Sequence, residues 1–217
     1  ARRVAAQIAI SEFVAQSVEG PNRVVYTGVE TVLASATERG SIVLVAQRLE
    51  AEKRTDVALR AWSLVGDRGD WRLQIAGAGA QLSQLVHLAA ELGISHSVDF
   101  LGFQSDVAAL YARASIFLAP TPREGLGLSV IEAMSHAVPV VAAGGGGHLE
   151  SVGPVRGSAL FAPDDAEDAA QQLERLLGSA EERRSYGAAL RERQQAVFNL
   201  HDQTAGTLEV LTRAVRG

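Results

Sequence analysis

The chain contains no cysteine, so disulfides and thiolate metal sites are excluded and a reducing compartment, the cytoplasm, is the expected setting. It has almost no lysine. Among 20 Lys and Arg residues, Lys53 is the single lysine, which makes its position worth following. No apolar run approaches the roughly 20 residues that span a bilayer. The apolar stretch at 4–10 is too short for a secretory signal, and no cleavage-like site follows it. There is no basic block and the net charge is −5, which argues against nucleic acid as a partner. Neither an Asp-x-Asp motif nor a His/Cys cluster occurs, so no metal and no resident cofactor are expected. An initiator methionine is missing too, and the expectation is a piece of a longer protein.

What is present is an ordinary globular composition: 217 residues, 47% hydrophobic and 21% charged, enough for one good core. From Ser41 onward, apolar runs alternate with segments of helical period. The runs lie at 42–46, 73–76, 98–101, 116–119, 138–142 and, more weakly, 159–161. They are short and apolar throughout, as strands buried on both faces are. Helical segments follow at 56–64, 82–92, 107–112, 128–135 and 165–177. This βαβ repetition with right-handed crossovers predicts an α/β fold, a doubly wound parallel sheet. The first 40 residues differ: a strand within 4–10, Ser11 capping a helix through Val18, and a strand at 23–26. At the other end, 180–196 and 203–215 read as amphipathic helices.

Ligands of doubly wound sheets sit where loops leave the carboxyl ends of the strands. After the first run come Arg48 and Lys53, two cations five residues apart that could converge on one multiply charged anion. Solvated loop charges are the plainer alternative, against which the placement of the lone lysine counts. After the second run, Gly77 and Gly79 would admit a phosphate close to the backbone or simply make a tight turn. A dinucleotide fingerprint would need a third glycine where Leu82 stands. Gly102 and Phe103 follow the third run in the same way.

The strongest signal is the block from Pro120 to Met134. Gly125 and Gly127 free a loop whose amides can point outward, and a helix then begins at Leu128 or Ser129. Glu124 precedes that anion-binding helix start and Glu132 lies about one turn inside it, two acceptors for sugar hydroxyls. Glu132 has a structural alternative as a partner of the helix dipole. The four glycines at 144–147 suggest flexibility or close approach, and His148 after them reads more readily as exposed than as a ligand contact.

These residues resemble the C-terminal, donor-binding domain of family-four retaining glycosyltransferases (glycosyl transferases group 1), one Rossmann-like half of the GT-B architecture. The resemblance rests on Arg48…Glu52-Lys53, Ile75-Ala76-Gly77-Ala78-Gly79, Glu124-Gly125-Leu126-Gly127-Leu128…Glu132-Ala133-Met134 with Pro139-Val140-Val141, and Gly146-Gly147…Glu150. It implies that Arg48 and Lys53 neutralise a donor diphosphate and that Glu132 accepts from ribose hydroxyls. Glu124 with Gly125, Leu126, Gly127, Leu128 and Ser129 would hold the transferred sugar and its phosphate, and Gly77, Gly79 and Phe103 would line the nucleotide. Glu124, Arg48 and Lys53 are the implied catalytic residues. The implied division is 1–38 as the end of a preceding domain and hinge, 39–195 as the nucleotide-sugar-binding domain and 196–217 as a crossover helix. The partners expected are a nucleoside-diphosphate sugar, as substrate, and an N-terminal acceptor-binding domain, through which the whole protein could also meet a membrane. Two departures stand out: Gln47 and Arg54 occupy positions where the family usually has glycine. Alternatives are a non-hydrolysing nucleotide-sugar epimerase, a non-catalytic nucleotide-sugar-binding module and, more remotely, an NAD-dependent oxidoreductase resting only on Gly77 and Gly79.

Overall fold

The computed structural model describes residues 6–32 and 39–216. The expected strand at 4–10 therefore begins outside the described residues. Within them, β1 (Ile8–Ala9) pairs in parallel with β2 (Arg23–Val24), and α1 (Glu12–Ser17) lies between them. Ser11 caps α1 as expected, its Oγ accepting from the Val14 amide at 3.0 Å.

The main sheet contains β3 (Ile42–Ala46), β4 (Arg72–Ala76), β5 (Val98–Gly102), β6 (Ile116–Ala119), β7 (Val140–Ala143) and β8 (Ala159–Phe161). All six are parallel, in the order β5-β4-β3-β6-β7-β8. Crossovers run through α2 (Thr55–Leu64), α3 (Leu82–Glu91), α4 (Val107–Arg113), α5 (Leu128–Ser135) and the short α6 (His148–Ser151). Then follow α7 (Ala166–Gly178), α8 (Ala180–Val197) and α9 (Leu200–Arg216). The doubly wound expectation holds. Strand order reverses between β3 and β6, so the loops leaving those two strands flank the crevice where such sheets bind ligands.

The central strands are apolar throughout because helices cover both faces; every residue of β6 and β7 is buried. Polar atoms inside find partners. The Trp62 indole donates to Ser97 Oγ at 3.1 Å, and Tyr186 Oη donates to the Val140 carbonyl while accepting from the Ala159 amide. Strand β7 starts at Val140, two residues later than the apolar run suggests. The Val138 amide is spent closing α5 on the Ala133 carbonyl at 2.9 Å, beside left-handed Ala137, and Pro139 has no N–H for a ladder. Helix α9 starts three residues before the expected 203 because Asn199 caps it, its Oδ1 accepting from the Asp202 amide at 2.9 Å.

Helix α9 returns to the N-terminal segment. The Val29 amide donates to the Phe198 carbonyl at 3.0 Å, the Gly28 amide to Gln203 Oε1 at 2.8 Å, and Arg23 pairs with Glu209. A Cβ on Gly28 would lie 2.2 Å from the Asn199 carbonyl, so only glycine permits this crossing.

Candidate functional site

The first wall of the crevice is the loop after β3. Its pairing with the next loop continues past the strand ends, with the Gln47 amide on the Ala76 carbonyl at 3.1 Å and Leu49 on Ala78 at 3.0 Å. That closeness requires Gly77 and Gly79, where a Cβ would lie 1.8 Å from the Gln47 oxygen and 2.3 Å from the Leu49 oxygen. These glycines thus let one loop backbone approach another. The chain then makes a tight turn through Ala51–Lys53 and reaches Arg54 at φ 52°, a left-handed backbone. A non-glycine residue there costs about 1 kcal/mol, which explains the glycine usual in the similar family. Arg54 offsets part of this through ion pairs with Asp56 and Asp164. Gln47 fastens the turn: its Nε2 donates to the Lys53 carbonyl and to Thr55 Oγ1, each at 2.9 Å. Thr121, on the loop after β6, donates to Gln47 Oε1 at 3.1 Å.

Lys53 crosses the crevice. Its Nζ lies 2.6 Å from Glu124 Oε2, with side chains only 17% and 28% exposed. So little solvent reaches the pair that deleting one partner would leave the other poorly compensated. The Glu124 loop is in turn held by the glycines at 145–147. The Gly147 amide donates to the Glu124 carbonyl at 2.8 Å. A Cβ on Gly145, Gly146 or Gly147 would stand 2.2–2.4 Å from backbone atoms of Pro122, Glu124 and Leu126 respectively. Of the two expectations for this run, close approach is the one realised. From the other side, Ser11 Oγ donates to the Gly125 carbonyl at 2.6 Å.

Helix α5 opens at Gly127, at φ 86°, without a side-chain cap. Its first amides, Leu128 and Ser129, therefore have no partner within the helix and carry the positive end of its dipole. A Cβ on Gly127 would touch the His148 ring at 3.0 Å. The expectation of an exposed His148 is wrong: it is 1% exposed and its Nδ1–H donates to the Ala143 carbonyl at 3.0 Å. The short α6 turns the ring inward, and burial holds its pKa below the usual value.

Beside this helix start lies a cavity of about 290 Å³ lined by Arg48, Gly77, Phe103, Tyr111, Ser129 and Glu132, among others. Glu132 Oε2 accepts from Tyr111 Oη at 3.1 Å, and burial followed by this carboxylate raises the tyrosine pKa. Glu132 thus faces the cavity and lies beyond the first turn of α5, which leaves the dipole alternative unsupported. Arg48 is 68% exposed and pairs with Glu52 at 3.1 Å. Phe103, 78% exposed, stands at the rim.

The structure therefore brings Lys53 to Glu124, and Arg48, Gly77, Phe103, Ser129 and Glu132 to one cavity. It does not bring Arg48 and Lys53 onto one shared carboxylate, because each takes a different partner. Gly79 packs on Leu49 instead of lining the cavity, and Gly125 packs near Ile10 and Val14. The Leu126 side chain is buried in the core, leaving only its backbone for a ligand, whereas Leu128 is half exposed.

A sequence model of the family described as glycosyl transferases group 1 matches residues 34–193. The chain belongs to that family. It is 33% identical over 198 residues to the MMP alpha-(1->4)-mannosyltransferase of Mycolicibacterium hassiacum, covering 88% of this chain and 48% of that protein. An exopolysaccharide phosphotransferase of Streptomyces coelicolor is 33% identical over 156 residues, covering 70% of this chain and 17% of that protein. The chain thus spans less than half the length of these curated relatives. Among solved structures, Anabaena HepE in complex with UDP superposes with a TM-score of 0.88 at 19% identity, covering 97% of this chain and 64% of that one. This likeness concerns the fold alone, a Rossmann-like half of the GT-B architecture.

In this group 1 chain Thr121 and Tyr111 were not among the expected site residues, and Gln47 and Ser11 were expected only as a departure from glycine and as a helix cap. Gln47 had a readable signal, since it stands where the family has glycine. The other three act through contacts 21 to 114 residues away in sequence, which no local pattern records.

Proposed function

We propose that this chain is the nucleotide-sugar-binding half of a retaining glycosyltransferase that moves a hexosyl unit from a nucleoside diphosphate to an acceptor. The observation that carries the reading is the Lys53–Glu124 pair set across the strand-order reversal, next to the uncapped start of α5. The diphosphate lies against the Leu128 and Ser129 amides, with Lys53 and Arg48 as its cations. Glu132, already accepting from Tyr111, has its other oxygen for ribose hydroxyls. Glu124 orients the sugar and shares Lys53 with the phosphate.

The leaving diphosphate gains negative charge as the anomeric C–O bond breaks, and fixed cations with a helix N-terminus stabilise that charge without reorganisation. The acceptor oxygen bonds to the anomeric carbon on the face the diphosphate leaves, and its proton passes to the departing phosphate oxygen. Glu124 is a positioning carboxylate here, not a glycosidase-type nucleophile. The protein's own cations take the part a metal would play. The acceptor site belongs to an N-terminal domain outside residues 1–217, so this chain by itself transfers no sugar. Similarity to the mannosyltransferase, and the UDP bound in HepE, support a nucleotide-sugar donor.

A thermal-shift panel of UDP, GDP, ADP and their sugars tests the reading. One nucleoside diphosphate series raises the melting temperature, and NAD does not. A flat response to all of them, or robust turnover by this chain alone, contradicts it.

A further inference from the structure

The opposite end of the sheet holds a second cavity, about 530 Å³, which the donor reading does not use. It opens beside Ser115 and Pro139, the residues just before β6 and β7, whereas the donor cavity lies past the carboxyl ends of the strands. Among the described residues its charged lining is of one sign: Arg39, Arg183, Arg184 and Arg191, with His136 among them and no carboxylate. In a chain of net charge −5 this is a local reversal.

Outside the cavity some arginines meet carboxylates, as Arg23, Arg48, Arg54, Arg72, Arg175 and Arg213 do, and others, such as Arg68 and Arg193, bond backbone carbonyls. Among the described residues, none of the four cavity arginines forms an ion pair. Their bonds go to backbone carbonyls instead: Arg39 to Ala114 at 2.7 Å, Arg183 to Leu177 at 2.9 Å over the Trp71 ring, and Arg191 to Val32. Carbonyls satisfy N–H groups and fix the side chains but do not neutralise their charge. The Nε–H of Arg191 is buried without an acceptor among the described residues, a costly state for a donor. Arg184 is exposed and bonds to no group among the described residues. Burial, followed by the charges of Arg39 and Arg191, lowers the His136 pKa, and burial, followed by Arg184, lowers that of Arg183.

We propose that this cavity is a second anion site, which takes the phosphate group of a small phosphorylated molecule through Arg183, Arg184 and Arg191. Guanidinium forks match phosphate oxygens, and the volume falls within the roughly 300–1,000 Å³ of small-molecule sites. Arg183 and Arg191, already held by carbonyls, lose little further freedom on binding. The two sites are not isolated from each other. Tyr111 donates to Glu132 at the donor cavity, while its ring lies 5.6 Å from that of His136.

The test follows the His136 ring protons by NMR, assigned with His136→Asn, while inorganic pyrophosphate is titrated into the 217-residue chain. Bound anion raises the His136 pKa. Arg184→Glu, a change at an exposed residue, weakens that response at least about tenfold. Lys53→Ala leaves it intact, which separates this site from the donor site. Co-sedimentation with phosphatidylglycerol vesicles, dependent on Arg184, would assign the phosphate to a lipid headgroup, and its absence beside a pyrophosphate response to a soluble ligand. No His136 response to pyrophosphate with no Arg184-dependent sedimentation overturns the proposal. So does a response that Arg184→Glu leaves unchanged.

Discussion

The two walls of the donor crevice are built on different terms. Around Lys53 and Glu124, backbone packs directly on backbone: glycines at 145–147 admit the Glu124 loop, Gln47 staples the Lys53 turn, and Ser11 closes on Gly125. At Arg48 and Phe103, on the loops after β3 and β5, the side chains themselves extend into solvent, although the backbone on either side of Arg48 is held by Gly77 and Gly79. The first arrangement suits charge that must be met at a fixed point, because a misplaced cation loses most of its value to a transition state. The second suits contacts to the part of a nucleotide that varies. The comparison predicts that damage at the inner wall costs both fold and binding, while damage at the outer wall costs binding alone.

The largest effect is expected from Gly146→Ala. Its φ of 53° and a Cβ 2.3 Å from the Glu124 oxygen together force the Glu124 loop to move. Stability should fall by about 2 kcal/mol, with donor binding lost as well, in denaturant unfolding and calorimetry. Unchanged binding would mean that the Glu124 loop does not form the site.

His148 gives a pH test of the same wall. Its folded pKa lies below 6.5, so in the window beneath 6.5 the unfolded chain binds more protons than the folded one. Its contribution to stability is present above 6.5 and is lost as pH falls toward the lowered value. Melting temperature should drop through that window, with less of a drop in His148→Gln. An NMR titration of His148 at or above 6.5 would contradict its burial.

Smaller effects belong to the outer wall. Arg48→Ala, at a 68% exposed side chain, should weaken nucleoside-diphosphate binding about three- to tenfold and leave unfolding within about 0.5 kcal/mol. Phe103→Ala should behave alike, with the weaker effect on binding. If either change destabilised the chain as Gly146→Ala does, the distinction between the walls would fail.

Much of this was legible. Strands β3, β6 and β8 and helix α5 occupy the residues that apolar runs between loop signals suggest, because doubly buried strands must be apolar and short. Glu124, Gly127 and Glu132 were readable from one contiguous block. What the sequence withheld is long-range. The oxygens of Glu150 accept from the Glu12 and Phe13 amides and from Tyr26 Oη, and push the Tyr26 pKa, already raised by burial, up to about 12. These contacts seat the N-terminal segment beside the Glu124 loop across more than 120 positions. Gly77 and Gly79 were visible as glycines, but their neighbours, the Gln47 and Leu49 carbonyls, were not.

Calorimetric titration of Lys53→Ala with the nucleoside diphosphate that binds the unaltered chain bears most directly on the account. Loss of a partly buried, charge-assisted contact should weaken binding about 10- to 100-fold, well beyond the change for Arg48→Ala. Equal affinity in Lys53→Ala and the unaltered chain would mean that the diphosphate does not dock at the Lys53–Glu124 crossing, and the proposed site would be wrong.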